Sequence, residues 1–389
     1  LKKKYNLMRL TGYSRKNSKV GIRDHNVIFS TVALTNRWGE IVSNKVPEAI
    51  LCCGELTRGL RGIDLVRQNE FTKSLILHPN IGSILILTID IISENSLINF
   101  IEEISKPAGV ISLLSCKGMD DAISKASIKI NELIQLKQVT RKSIHFSDIT
   151  IGLECGGSDA TSSLCANPTI GGFVDTLINK GGTAIVSETA EFVGAESIIK
   201  QKCKNKKIER QILSKLKIEE KRLTNDGIDY RGTNPTSENI EAGLTTLKEK
   251  TMGAIAKTGD SFFSGCLEFG EKPNGDGLYF MDTPFFSPTS ITGMLSGGAV
   301  LILFGLGVYN PSGNPLCPTI KICGNPETNK IWKDLIDLDV SNILNGKMIL
   351  NRGVELLNEE VIRVICGKTT KTELLKEGQF ILPKTIEPL

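Results

Sequence analysis

Five short apolar runs in the back half of the chain, each stopped by a small polar or glycine-rich turn, restrict what this sequence can fold into. They are ITIGLE (149–154) before Cys155-Gly156-Gly157-Ser158-Asp159, TAIVS (183–187) before Glu188-Thr189-Ala190-Glu191, LYFM (278–281) before Asp282-Thr283-Pro284, AVLILF (299–304) before Gly305-Leu306-Gly307, and TIKI (319–322) before Cys323-Gly324-Asn325-Pro326. Runs of this length and composition suit strands buried on both faces of a parallel sheet. In such sheets ligands sit in the crevice beyond the carboxyl ends of the strands. The chain therefore brings carboxylates, amides, hydroxyls and thiols to one rim, which is the pattern of an active site.

The front of the chain repeats the theme. Residues 27–34, 49–53, 83–92 and 109–114 are apolar and β-branched, and helical patterns at 97–105 and 119–136 alternate with them. Strand–helix alternation predicts α/β architecture. A chain of 389 residues exceeds one ordinary core, so two packed domains are expected, each with a mainly parallel sheet flanked by helices. The polar segment 139–147 marks the boundary, giving domains 1–143 and 144–389. In the second, helices are expected over 171–180, 195–221 and 239–257, the last starting near Ser237 and Glu238, with tail helices over 354–367 and after Thr370. No linker of low complexity separates the halves, so they are expected to pack tightly.

Charge and cysteines exclude several classes. The 47 basic and 43 acidic residues leave +4, and the dense basic stretch 200–207 runs into alternating charges, the pattern of a solvated helix rather than a nucleic-acid surface. The longest apolar stretch, 297–308, is shorter than the ~20 residues that span a bilayer. The basic start 1–5 has no apolar region behind it and does not read as a secretory signal. Ten cysteines without repeated spacing or a CxxC pair point to reduced thiols in the cytoplasm rather than disulfides or structural zinc. His25, His78 and His145 form no metal-ligand spacing. GxSxG, GxGxxG and the P-loop are absent, so no nucleotide cofactor is expected.

Each turn carries a functional reading and a plainer one. Gly156 and Gly157 let a backbone approach a ligand, and the amides of Ser158 and Asp159 can hold an anion at a helix start; equally, Ser158 or Asp159 is simply an N-cap. Asn167-Pro168 opens the next helix beside them. Glu188, Glu191 and Glu196 crowd one segment, where like charges raise one another's pKa, although a helix start also favours acids. Glu188, directly after a strand, is the most functional of the three. Lys250 and Lys257 lie two helical turns apart on one face: a carboxylate-binding pair, or solvated lysines. Asp282 ends a strand and reads as a cap or a functional carboxylate.

The stretches 152–159, 166–168, 182–189, 243–250, 277–284 and 290–298 together resemble the altronate/galactarate dehydratase family, and the resemblance extends from Gly12-Tyr13 and Gly21-Ile22-Arg23 to the tail. It implies dehydration of a sugar acid to a 2-keto-3-deoxy acid and a divalent metal, iron or manganese. Members often carry a small extra domain of the SAF type ahead of the portion seen here. A separate small subunit is the expected source of it, within an oligomer. The segments 313–315, 320–322, 324–326 and 337–341 are also similar to the large subunit of sulfolactate sulfo-lyase, which eliminates sulfite. Two departures bear on substrate and metal: Asp24 stands where the family has Asn, and Cys52-Cys53-Gly54-Glu55-Leu56-Thr57-Arg58 replaces a His-Gly-x-Gly-Cys-like segment.

Strand-end position and motif match together assign Glu188, Lys250 and Asp282 to catalysis. Gly156, Gly157, Ser158, Asp159, Asn167, Thr283 and Lys321 are assigned to a small hydroxy-carboxylate substrate, and Glu188 and Asp282 are the candidate metal ligands. A non-catalytic sugar-acid binding subunit is the reading from a different class.

Overall fold

The structure is a computed structural model and describes residues 9–16, 20–224, 234–244 and 246–385. The basic start 1–5 and Thr245 lie outside them. The front half runs through Thr11–Gly12 (β1), His25–Ser30 (β2), Asn36–Lys45 (α1), Ala49–Cys52 (β3), Gly62–Ile76 (α2), Ile81–Thr88 (β4), Ile91–Ile101 (α3), Ala108–Ser112 (β5), Met119–Gln135 (α4) and Lys142–Ser143 (β6). Strands β3-β2-β4-β5 form a four-stranded parallel sheet, and β1 pairs antiparallel with β6. All eight residues of β4 are buried. Alternation explains this, because successive side chains serve opposite faces. Ile28, Leu85 and Leu87 pack with Trp38 and Val42 of α1 and Ala126 and Ile130 of α4. Val27, Phe29, Ile84 and Ile86 point the other way, into a core shared with the back half.

The back half continues through Thr150–Cys155 (β7), Asn167–Asn179 (α5), Thr183–Val186 (β8), Glu196–Gln201 (α6), Lys206–Leu223 (α7), Ser237–Glu241 (α8), Leu247–Ala256 (α9), Phe263–Leu267 (β9) and Gly277–Met281 (β10). It ends with Ser287–Ser296 (α10), Leu301–Leu306 (β11), Thr319–Cys323 (β12), Pro326–Ile331 (α11), Leu338–Asp339 (β13), Leu350–Ile365 (α12) and Lys371–Leu375 (α13). Seven parallel strands take the order β13-β12-β11-β7-β8-β10-β9. Ile151, Leu153, Leu301 and Leu303 share a core with α5 and α12, and Phe280 packs on Phe192 and Phe263 in the same cluster, whereas Ile185, Met281 and Ile302 join α10 and the front half's Phe29, Phe71 and Ile86. One continuous apolar core thus lies between the two sheets.

Polar contacts lock the same joint. Asn80 Nδ2 donates to Val300 O at 3.0 Å and Leu316 O at 3.1 Å, while its Oδ1 accepts from Ile22 N at 2.9 Å. Arg23 holds Glu373 with two bonds, of 2.7 and 2.9 Å. The tail returns to the front half, where Phe380 pairs with Gly54 and packs on Phe71.

Some expected elements differ. The helix expected over 195–221 is two helices, because Asn205 accepts from Lys207 N and Ile208 N and caps a new one. The helix expected over 239–257 is also two. Thr236, rather than Ser237, caps the first, and Thr246 with Glu249 forms a capping box on the second. Edge strands β9 and β13 lack a continuous apolar run, since one has a partly exposed middle and the other is two residues long.

Candidate active site at the strand ends

Strands β7 and β11 are neighbours, but the chain leaves them toward opposite edges of the sheet, which makes their carboxyl ends a topological switch point. The two turns there are joined. Gly157, at φ 60°, offers its carbonyl to Gly307 N and Val308 N, and a Cβ on it would strike Val308 O. On the other side, β8 ends in Glu188, whose backbone is left-handed at φ 69° and ψ 72°. A glutamate rarely adopts this conformation. It is held by Glu188 N donating to Thr283 Oγ1 at 2.8 Å and by Thr189 N donating to Thr283 O at 3.2 Å. The loops after β8 and β10 are thereby fixed together.

The strained turn aims Glu188 and Glu191 at the end of β7. Cys155 Sγ, Glu188 and Glu191 place ligand atoms within 4.8 Å of one another, all buried. Cys155 Sγ donates to Glu191 Oε2 at 2.9 Å, and Lys257 Nζ lies 2.8 Å from that sulfur and 3.2 Å from the same oxygen. Lys250 Nζ sits 3.6 Å from Glu191 Oε1, 2.7 Å from Asn234 Oδ1 and 4.1 Å over the Phe285 ring. Glu154 completes the group: its Oε2 accepts from Ser290 Oγ at 2.6 Å, and its carboxyl is close enough to that of Glu188 for each to influence the other's ionisation. Ser290 in turn bonds Ser187 at 2.6 Å.

Burial decides the charges. It pushes the Glu154 carboxyl up to about 7, against the pull of Lys257. Burial and then the neighbouring Glu154 and Glu191 raise Glu188 well above the usual carboxylate range. Burial also opposes ionisation of Glu191, but Lys257 and Lys250 outweigh it and hold this carboxyl low. Burial opposes the Lys257 ammonium as well, and the surrounding acidic groups keep it charged. Burial and Glu191 raise the Cys155 thiol.

Of the residues singled out from sequence, Glu188, Lys250, Thr283 and Ser158 converge. Ser158 does so through its carbonyl, which accepts from Asn239 Nδ2 at 2.9 Å while Asn239 Oδ1 takes Lys250 Nζ at 3.3 Å. Gly156 lies close beside Asn310 and Phe304. Asp159 acts as a cap: it accepts from Ser162 N and Thr161 Oγ1, both at 2.7 Å, and from Asn325 Nδ2 at 2.8 Å. Asn167 ties its amide to Gly253 O and turns an unpartnered Oδ1 toward Gly305.

Two residues stand apart. Asp282 is not in the buried metal-capable group. Its carboxylate is 29% exposed and taken by Thr189 Oγ1 at 2.7 Å and Lys215 Nζ at 3.2 Å. Lys321 lies two strands from Glu154 in register, roughly 10 Å, and its ammonium is used by Glu377 at 3.0 Å and Tyr309 at 3.3 Å. Sequence reasoning weighed Glu191 and Lys257 without assigning them a role, and gave none to Glu154 or Cys155. An acid closing an otherwise apolar strand was the available signal for Glu154. For Lys257 the spacing from Lys250 was, and both lysines are buried rather than solvated.

The family model for the C-terminal region of D-galactarate/altronate dehydratase matches residues 146–387, and that for the second domain of D-galactarate dehydratase/altronate hydrolase matches residues 12–138. The chain belongs to the D-galactarate/altronate dehydratase family. Among its similar relatives is (2R)-sulfolactate sulfo-lyase subunit beta of Chromohalobacter salexigens, 30% identical over 97% of this chain and 97% of that protein. Altronate dehydratase of Escherichia coli is 26% identical over 93% of this chain and 74% of its own length. Galactarate dehydratase (L-threo-forming) of the same organism is 30% identical over 61% of this chain and 45% of its own. These named members are lyases.

The donor set suits the divalent metal that this family's chemistry suggests. A thiol and two carboxylates are ligands that transition metals accept. Three carboxylate oxygens of the group, Glu154 Oε1, Glu188 Oε2 and Glu191 Oε1, have no hydrogen-bond partner although buried. Buried acceptors without partners are costly, and a cation would satisfy them. All ten cysteines are unpaired, so Cys155 is free to act as a ligand. Among the described residues no helix is long and apolar enough to cross a membrane.

Proposed function

We propose that this chain is a lyase for a small hydroxy-carboxylic acid, removing the proton α to the carboxylate and expelling the β substituent, with a sugar acid of the altronate or galactarate type as substrate and water as leaving group. The observation that carries this reading is the dry cluster at the switch point, where Glu154, Glu188 and Glu191 meet Lys250 and Lys257 with carboxylate oxygens to spare. A proton α to a carboxylate is very weakly acidic in water, so the developing enolate needs preorganised positive charge in a low-dielectric site. Lys250, partnered by neutral asparagine oxygens and standing over Phe285, is placed to take the substrate carboxylate. Lys257, locked on Glu191, keeps a second positive charge beside it. Glu154, whose carboxyl burial pushes up to about 7 beside Glu188, is placed to accept the α proton and return it to the leaving hydroxyl. Cys155, Glu188 and Glu191 would hold a divalent ion, iron or manganese, which when bound supplies Lewis-acid polarisation of a substrate oxygen. Glu154 is then the carboxyl left free to move protons. A small SAF-type subunit is the proposed partner, since a relative named as one subunit matches this chain end to end.

That end-to-end match also favours a second reading: elimination of sulfite from sulfolactate at the same cluster. Purified chain, with its small partner and added Mn²⁺ or Fe²⁺, is assayed on altronate, galactarate and sulfolactate for 2-keto acid and for sulfite. The Glu188→Gln variant should lose roughly 100-fold or more in turnover while keeping its unfolding midpoint. Near-normal turnover in a folded Glu188→Gln protein removes the assignment.

A further inference from the structure

A second polar cavity lies in the front half, away from the strand ends just described. It has a volume of about 410 Å³ and is lined by Arg15, Lys16, Gly82, Glu103, Lys106 and Lys137 among others. Four cations and one rim carboxylate face it. One acid lies behind the wall: Asp24 Oδ1 accepts from Arg15 Nη2 at 2.7 Å, and its Oδ2 accepts from Lys137 Nζ at 2.7 Å. Asp24 can lie there because residue 82 is glycine, where a Cβ would collide with the Asp24 carboxylate and the Lys137 stem. The acid that departs from the family pattern is thus a device that holds two cations in place.

One carboxylate cannot neutralise them both. Lys106 is left further from balance. Its Nζ donates to His78 O at 2.8 Å, and among the described residues no carboxylate lies within salt-bridge distance of it. An ammonium has three donors, so two remain. Burial, and then the Arg15 guanidinium, push this lysine down to about 7. Arg15 cannot turn away to relieve the charge, because its Nε is held by Pro79 O at 2.9 Å and it is 8% exposed. A cavity walled by four basic side chains, with unused donors on Lys106 and fewer acids than bases, attracts a multivalent anion.

We propose that this cavity binds a small multivalent oxyanion, a phosphate or a di- or tricarboxylate, through Lys106, Arg15 and Lys137. The site uses no residue of the Glu154–Glu188–Glu191 cluster. It also sits on the turn that joins the two halves. The carbonyl held by Lys106 belongs to His78, whose ring bonds Ala299 O at 3.1 Å, just before β11.

Calorimetry with inorganic phosphate and, separately, citrate on the full chain tests this, the two probes distinguishing phosphate from carboxylate recognition. Binding of at least one with a dissociation constant in the millimolar range or tighter is expected. Lys106→Met keeps the stem and should weaken it tenfold or more, the loss of about 1.4 kcal/mol. Lys137→Gln, on the half-buried wall, should weaken it as well and guards against a folding defect in the first variant. Lys250→Met should leave it unchanged, so failure of the proposed lyase site does not touch the result. No binding of either anion at 10-fold above about 1 mM, or binding lost in Lys250→Met but kept in Lys106→Met, overturns the proposal.

Discussion

The two sheets are both parallel and both have a switch point, yet among the described residues only one rim gathers buried acids and lysines. In the front sheet the order β3-β2-β4-β5 puts the reversal between β2 and β4. The crevice there measures about 350 Å³ and is lined by hydroxyls and amides. Its polar groups are largely spent on local structure. Ser30 Oγ bonds Asn36 at 2.7 Å, Thr31 Oγ1 bonds Leu87 O at 3.0 Å, and Asp90 caps α3 through Ser93 N. Arg58 meets Asp90 only at 3.5 Å and is 59% exposed. At the back rim the acids are buried, coupled, and left with unpartnered oxygens. Topology says where a site can be, and desolvation with unsatisfied polar groups says where one is.

The hardest test of this contrast is Lys257→Met. Removing one partner of a buried ion pair leaves Glu191 and Cys155 without their nearest cation, at a cost of about 3–5 kcal/mol, and strips positive charge from the proposed enolate site. Turnover should fall by at least roughly 100-fold, and denaturant unfolding should show the stability loss. A variant as stable and active as the parent would erase the distinction between the rims.

A smaller effect tests the joint between them. His78 Nδ1 accepts from Asn80 N at 3.2 Å, so the neutral ring carries its proton on Nε2 and donates it to Ala299 O. Burial pushes this histidine down to about 3 from 6.5. Between those values the unfolded chain binds a proton that the folded chain does not, so the stability lent by the neutral ring is full above pH 6.5 and drains as pH falls toward 3. The stability gap between the parent and His78→Gln should therefore shrink by up to about 1.4 kcal/mol per pH unit in that window. His25, pushed by burial to about 4, leaves a slope of its own in both proteins. A gap constant with pH contradicts the buried neutral ring.

The smallest effect is expected in the front crevice. Arg58→Ala removes an exposed pair worth under about 1 kcal/mol, and turnover should change less than about twofold. A large loss of activity there would mean that the segment 52–58 takes part in the reaction after all.

Local pattern was enough for the sheet. The five runs of the back half are β7, β8, β10, β11 and β12, because a strand buried on both faces must be apolar throughout and must stop at a turn. It was enough, too, to place Glu188 at the strand-end rim, since its position after a strand reflects the backbone path. It was insufficient for β9, β13 and the broken helices, where a single cap such as Asn205 overrides a continuous amphipathic pattern. Pattern also gave Asp282 the same standing as Glu188 and left Asp159 open between ligand and cap. Folding showed that Lys215 and Thr189 occupy Asp282, and it chose the cap for Asp159.

What the order of residues determined by itself was the central strands, their parallel pairing and the rim at which their turns gather, since these follow from side-chain periodicity along a few consecutive residues. Which acids and lysines lose their water was decided in three dimensions. Glu154, Glu191 and Lys257 are separated by up to 103 positions, and their charges depend on mutual distance and burial, quantities that no short stretch of chain contains.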